Sequence, residues 1–245
     1  MNWQSIPATS IQEWLIAVAS QVNKEVMNKV IMLMWGIWKN RNAQVWDQKS
    51  KHASEAYLFT MGWYEDFKKS TARPPQQSRE PIRWQPPTER VLKMNCDGAY
   101  QAASRHGGVG CVLQNSDGIF LACQVRPYAF LMFPFHAELA ALKDGIIMAQ
   151  TMQHSEVIFE SDCALLVQAI QMVSHDLSTM NVLIEEVRSL LRDNPGFSII
   201  HVKREANKIA HLLASHAIRN NVSQLWLVTA PEFMRDDIRN NVIVI

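Results

Sequence analysis

A chain of 245 residues holds one large or two small domains and is long enough to bury a real core. Its net charge of +1 is too near neutral for bulk attraction to a polyanion, and its longest apolar run, Val30 to Trp38, falls far short of the roughly 20 residues that cross a bilayer. The four cysteines (Cys96, Cys111, Cys123, Cys163) form no C-x-x-C pair, so they read as small buried hydrophobes in a reducing compartment, nucleus or cytoplasm, rather than a zinc site or disulfide frame.

No charged-then-apolar signal pattern opens the sequence, so neither secretion nor a membrane partner is expected. Charge is unevenly spread. Residues 1–90 hold 12 Lys and Arg against 8 Asp and Glu, whereas residues 91–220 hold 10 against 12. Ser10 and Glu13 make a capping box ahead of an apolar series at helical spacing: Ile11, Trp14, Leu15, Val18, Val22. Met27 to Trp38 continues that spacing, and Ala56, Phe59, Trp63 and Phe67 give another helix. Six of the eight tryptophans lie in this Trp-rich segment, residues 1–70. The rings form the core of a small helical module or dock it on the next domain, or else they present an aromatic surface to a protein partner. Residues 71–90 carry five of the ten prolines and read as an extended, semi-rigid linker.

A second domain is expected over 91–220. Val91 to Asp97 alternates with period two, placing Leu92, Met94 and Cys96 on one face and Lys93, Asn95 and Asp97 on the other, as in a strand that stops at Gly98. Gly108–Gln114 and Ile119–Val125, joined by Asn115-Ser116-Asp117-Gly118, complete an antiparallel meander. A helix over Phe135–Thr151, a strand over Val157–Glu160, helices from Ala164 and from Met180, a strand from Phe197 and a last helix over Glu205–Arg219 follow. This order predicts an α/β fold, a mixed five-stranded sheet flanked by helices. In the tail, 221–245, apolar residues from Trp226 onward are expected to pack on the domain, and Asn240 to Ile245 to offer an edge strand.

Three acids have ordinary accounts when taken singly: Asp97 as a turn acid, Glu138 in the first turn of a helix, Asp162 as an N-cap. In a sheet of this order, however, strands one and four are able to neighbour each other, with Glu138 reaching in from above. Converging carboxylates need cations, and hard oxygen donors without a histidine or thiolate pattern favour Mg²⁺ or Mn²⁺. Gly98 beside Asp97 would let a ligand approach.

The blocks N-C-D-G-A-Y, G-G-V-G-C-V-L, H-A-E-L-A-A-L, F-E-S-D-C and H-V-K-R-E-A-N-K-I-A-H-L-L-A, in that order, resemble the type 1 ribonuclease H fold, and within it the plant branch derived from non-LTR retroelement reverse transcriptases. W-G-I-W-K-N-R-N-A-Q-V-W resembles the helical segment that precedes the domain in those polyproteins. The resemblance implies that Asp97, Glu138 and Asp162 bind two divalent ions and that the RNA strand of an RNA–DNA hybrid is cut. It also implies nucleic-acid contacts at Gly98, Lys203, Arg204 and Asn207. Where the family has a fourth carboxylate, this chain has His211, one helical turn past Asn207. Three acids facing two divalent ions leave one positive charge; four would leave none. His211 is either a weaker completing ligand or a structural histidine bonded to a neighbouring acid. No basic handle helix fits between the two middle helices. Two functions follow as expectations: a slowed metal-dependent hybrid endonuclease, or a fold that no longer cuts and binds hybrid, RNA or protein.

Overall fold

The computed structural model describes residues 10–71, 84–172 and 179–241, and the chain divides into two units, Met1–Ala72 and Arg73–Ile245. The first holds α1 (Ile11–Gln21), α2 (Lys24–Asp47) and α3 (Ala53–Thr71). Ser10 caps α1 by accepting from the Glu13 N–H at 3.2 Å, and Asn23 caps α2 by accepting from the Val26 N–H at 2.9 Å. Asn40 ties down the α2–α3 connection, accepting from the Lys51 N–H at 2.7 Å and donating to its C=O at 3.0 Å.

Among the described residues of this unit, the buried apolar side chains are Val18, Leu58, Met61 and Tyr64. The expectation of an indole core is corrected: Trp38, Trp46 and Trp63 are exposed and Trp14 and Trp35 half-buried. The cause is where the helices meet. A Cβ added at Gly36 would sit 2.0 Å from the Thr60 hydroxyl, so α2 and α3 touch through small residues and leave the rings at the flanks.

The second unit holds β1 (Leu92–Gln101), β2 (His106–Gln114), β3 (Phe120–Tyr128), α4 (Pro134–Thr151), β4 (Val157–Ser161), α5 (Ala164–Gln171), α6 (Thr179–Arg192), β5 (Phe197–His201), α7 (Lys208–Asn220), β6 (Gln224–Leu227) and α8 (Arg235–Asn241). One mixed sheet runs β5-β4-β1-β2-β3-β6. β1 pairs antiparallel with β2 and parallel with β4, as the order of elements predicts. Helix α4 covers the face carrying Met94 and Cys96, and α7 covers the face carrying Asn95 and Asp97. Ala210, Ala214 and Ala217 are fully buried, and side chains this small let α7 lie close on the strands. Cys96, Cys111 and Cys123 are buried free thiols, and burial pushes Cys123 up to about 12.

Two boundaries differ from the sequence reading. β1 does not stop at Gly98; it runs to Gln101, because β2 pairs with it residue by residue as far as Gln101 opposite His106. The sheet has six strands rather than five, β6 pairing antiparallel with β3. The sixth is not the expected 240–245 segment, since Asn240 and Asn241 end α8 and 242–245 lie outside the described residues. The tail packs Val222, Trp226, Ala230 and Ile238 against a cluster that includes Val112, Val125, Leu213 and Met234. Most of the expected linker, 72–83, and the 173–178 connection also lie outside the described residues. Trp84, placed in that linker by the sequence, is buried. Among the described residues no helix is long and apolar enough to cross a membrane.

Asp144 on α4 is buried, its Oδ1 accepting from Tyr128 Oη at 2.9 Å and Arg126 Nη1 at 3.1 Å, while Oδ2 has no hydrogen-bond partner. Burial raises its pKa above the usual carboxylate value, and Arg126, Tyr128 and Lys143 oppose that rise. An acid held more protonated in the folded chain than in the unfolded one favours folding below its unfolded pKa and loses that contribution as pH rises through its folded pKa. Asp144→Asn should therefore gain stability relative to the wild type as pH rises from about 4, where the unfolded carboxyl titrates, toward neutrality. Denaturant unfolding of both proteins across that range measures the difference; parallel curves would contradict it.

Candidate metal centre

Register places two of the acids. The last pair joining β1 to β4 is Asn95 opposite Glu160. Asp97 lies two residues beyond Asn95, and Asp162 two residues beyond Glu160. Side chains repeat every two residues along a strand, so both acids continue the rows of Asn95 and Glu160 at the same end of the sheet. Asp162 itself falls just past β4, and the N-cap position of α5 is Cys163. Its ordinary account as an N-cap is corrected.

Glu138 comes from the opposite face. A Cβ at Gly98 would lie 2.2 Å from the carbonyl carbon and oxygen of Ala137, so α4 presses its second turn directly onto β1. The Gly98 N–H donates to Glu138 Oε2 at 3.2 Å. The helix begins at Pro134, so Glu138 lies beyond its first turn and the helix-dipole account of this acid is also corrected. Ligand atoms of Asp97, Glu138 and Asp162 all lie within 4.8 Å of one another, with Asp97 and Glu138 buried and Asp162 half-buried. Like charges gathered so closely repel, and a divalent cation removes that cost. Carboxylate oxygens from three separate segments are the donor set a hard divalent ion takes, so these residues fit such an ion.

His211 stands one turn into α7, its N–H bonded to Asn207 C=O at 3.1 Å. Its Nδ1 is 3.1 Å from Asp97 Oδ2 and its Nε2 3.1 Å from Arg204 Nη2. A guanidinium can only donate, so Nε2 accepts; the ring is then neutral and its Nδ1–H donates to Asp97. Of the two readings of His211, this geometry matches a histidine bonded to a neighbouring acid.

The expected nucleic-acid contacts separate. Lys203 and Arg204 are exposed on the turn between β5 and α7. Asn207 is buried, its amide donating to Cys96 C=O at 3.0 Å and Asp162 Oδ1 at 3.3 Å, so it holds an acid instead of meeting a ligand. The room at Gly98 is taken by α4, which corrects its reading as a ligand approach. The sequence reading missed Glu160, Lys93 and Asn95 as members of this region. The signals were an acid inside the apolar run V-I-F-E-S and a lysine and asparagine on Asp97's own strand face.

Fold and site together define a ribonuclease H-like domain. LC11 ribonuclease H1, isolated from compost, aligns over 54% of this chain and 98% of its own at 21% identity and a TM-score of 0.50. The same protein in complex with an RNA/DNA hybrid aligns over 53% and 98% with a TM-score of 0.48 and 21% identity. Ribonuclease H1 of Halobacterium salinarum NRC-1 is 23% identical over 53% of this chain and 98% of its own, with a TM-score of 0.46. No curated protein matches the sequence. The family model described as reverse transcriptase-like matches residues 95–217, and the chain belongs to that family.

Because α4 touches β1 backbone to backbone, Gly98→Ala should lower stability by roughly 1–3 kcal/mol, the usual cost of overpacking, or more if α4 must shift. Thermal unfolding tests this. A variant as stable as the wild type would show that α4 does not press on the strand.

Proposed function

We propose that the protein hydrolyses the RNA strand of RNA–DNA hybrids with bound divalent ions, Mg²⁺ first and Mn²⁺ also, at a rate lowered by His211. The observation that carries this reading is the convergence of Asp97, Glu138 and Asp162, from β1, α4 and the end of β4, within 4.8 Å. A pair of divalent ions, when bound there, supplies an activated water and stabilises the leaving oxygen of an in-line displacement. Asp97, Glu138 and Asp162 would hold those ions. The chain's own residues fix the donors: the Gly98 N–H orients Glu138, Asn207 orients Asp162, and His211 orients Asp97. Arg204, exposed beside His211, and Lys203 next to it would meet the phosphates of the hybrid. The ordered motifs support descent from plant non-LTR retroelements.

One observation favours a second reading, a fold that binds hybrid or RNA without cutting. Both ring nitrogens of His211 are engaged, one by Asp97 and one by Arg204, and a neutral donor stands where a fourth carboxylate would lower the charge.

Labelled RNA–DNA hybrid incubated with the purified protein in Mg²⁺ or Mn²⁺ decides between them. Cleavage is expected in the wild type, reduced at least about 100-fold in Asp97→Asn, since loss even of a ligand's outer partner costs 10–100-fold, and raised in His211→Asp. Hybrid binding with no cleavage by either the wild type or His211→Asp establishes the second reading.

A further inference from the structure

Beneath the three acids runs a buried chain of polar groups that reaches the far end of the sheet. Lys93 Nζ is 5.6 Å from the ring centre of Trp84, donates to Gln85 C=O at 2.8 Å and pairs with Glu160 Oε1 at 2.7 Å. Glu160 Oε2 accepts from Asn95 Nδ2 at 2.9 Å, and the same amide nitrogen donates to Asn207 Oδ1 at 3.0 Å. Asn207 Nδ2 then reaches Asp162 Oδ1 and Cys96 C=O, the carbonyl immediately before Asp97. Asn95, Glu160 and Asn207 are each at most 2% exposed, so the bonds among these three are shielded from bulk water.

The order of donors leaves no freedom. A carboxylate only accepts, so Asn95 turns its NH₂ toward Glu160, and the same group also donates to the Asn207 oxygen and, at 3.4 Å, to the Ala206 C=O. Asn207 must then aim its own NH₂ at Asp162 and at the β1 backbone. Reversing either amide would set oxygen against oxygen in a buried site, where an unmatched polar contact is costly. Lys93 balances the charge that begins the sequence of bonds, and Trp84 and Gln85, which precede β1, fix Lys93.

We propose that Lys93, Glu160, Asn95 and Asn207 act as positioning residues, setting the orientation of Asp162 and the backbone beside Asp97 so that the three acids close on a divalent ion. The functional unit accordingly begins at Trp84, eleven residues before the family match. This rests on the metal-binding reading of the three acids, and it assigns work to residues that touch no ion and no substrate.

The test uses the full chain as wild type, Lys93→Met, Asn207→Ala and their double variant, with Mn²⁺ affinity read by calorimetry and the Asn207 side-chain amide resonance by nitrogen-15 NMR. Each single change should weaken Mn²⁺ binding about tenfold. The double variant should bind no more weakly than Asn207→Ala alone, because Lys93 acts through Asn207. The Asn207 resonance should move in Lys93→Met, and Lys93→Arg should restore both it and the affinity. If Lys93→Met does not fold, Lys93→Gln, which keeps a donor, takes its place. Unchanged affinity in the lysine variant, or losses that multiply in the double, overturns the proposal. Should the wild type bind no Mn²⁺, the proposed function fails, and the resonance alone then judges the polar chain: moved in Lys93→Met it stands, unmoved it falls.

Discussion

The parallel pairing of β1 with β4 is the constraint on which the rest depends. It ends at Asn95 opposite Glu160, and two of the three acids, Asp97 and Asp162, lie two residues beyond that point. Up to that pair the two strands satisfy each other's backbone; beyond it β1 keeps only its antiparallel partner, and β4 hands over to α5. Asp97 and Asp162 thus stand side by side where the ladder opens. A slip of one residue in either strand would turn one acid to the opposite face. The buried ion pair and amides around the last rung oppose such a slip. Removing one partner of a buried pair costs about 3–5 kcal/mol, a large share of the 5–15 kcal/mol that holds a domain together.

Each of the three acids is met by an N–H donor from another segment. Gly98, Asn207 and His211 each present an N–H to a different carboxylate, and the Arg204 guanidinium meets the site through the imidazole of His211. Such donors hold carboxylates in place without cancelling their charge, and so leave the carboxylates able to attract a metal. A lysine or arginine in direct contact would compete with the ion for them.

Much of this was legible in the sequence because it is local. Alternation in V-L-K-M-N-C-D located β1 and assigned Asp97 its face, and the order of strands and helices predicted β1 beside β4, so the meeting of the acids followed. What stayed hidden depended on partners distant in the chain. Whether β1 stops at Gly98 is decided by how far β2 accompanies it, and an Asp-Gly pair alone reads as a turn. Gly98 and Asn207 were singled out, yet for ligand contact; that one is pressed by α4 and the other buried against Asp162 is set by packing between segments 40 and 45 residues apart. Trp84 was hidden for a further reason: proline on both sides of it made the whole segment read as linker.

The sixth strand changes which backbone groups lie along one side of the sheet. Without Gln224–Leu227, the stretch Ala122–Val125 of β3 would present bare amides and carbonyls along the side of the sheet, a template for a neighbouring copy to extend. β6 covers that row and then ends after four residues, where Val228 takes a φ of 65° and gives its N–H back to Leu121. A β-branched residue in that conformation breaks the ladder, so the new rim is only four residues long. The segment after α7 thereby works as a selvedge along the β3 side of the sheet, and β5 forms the opposite border.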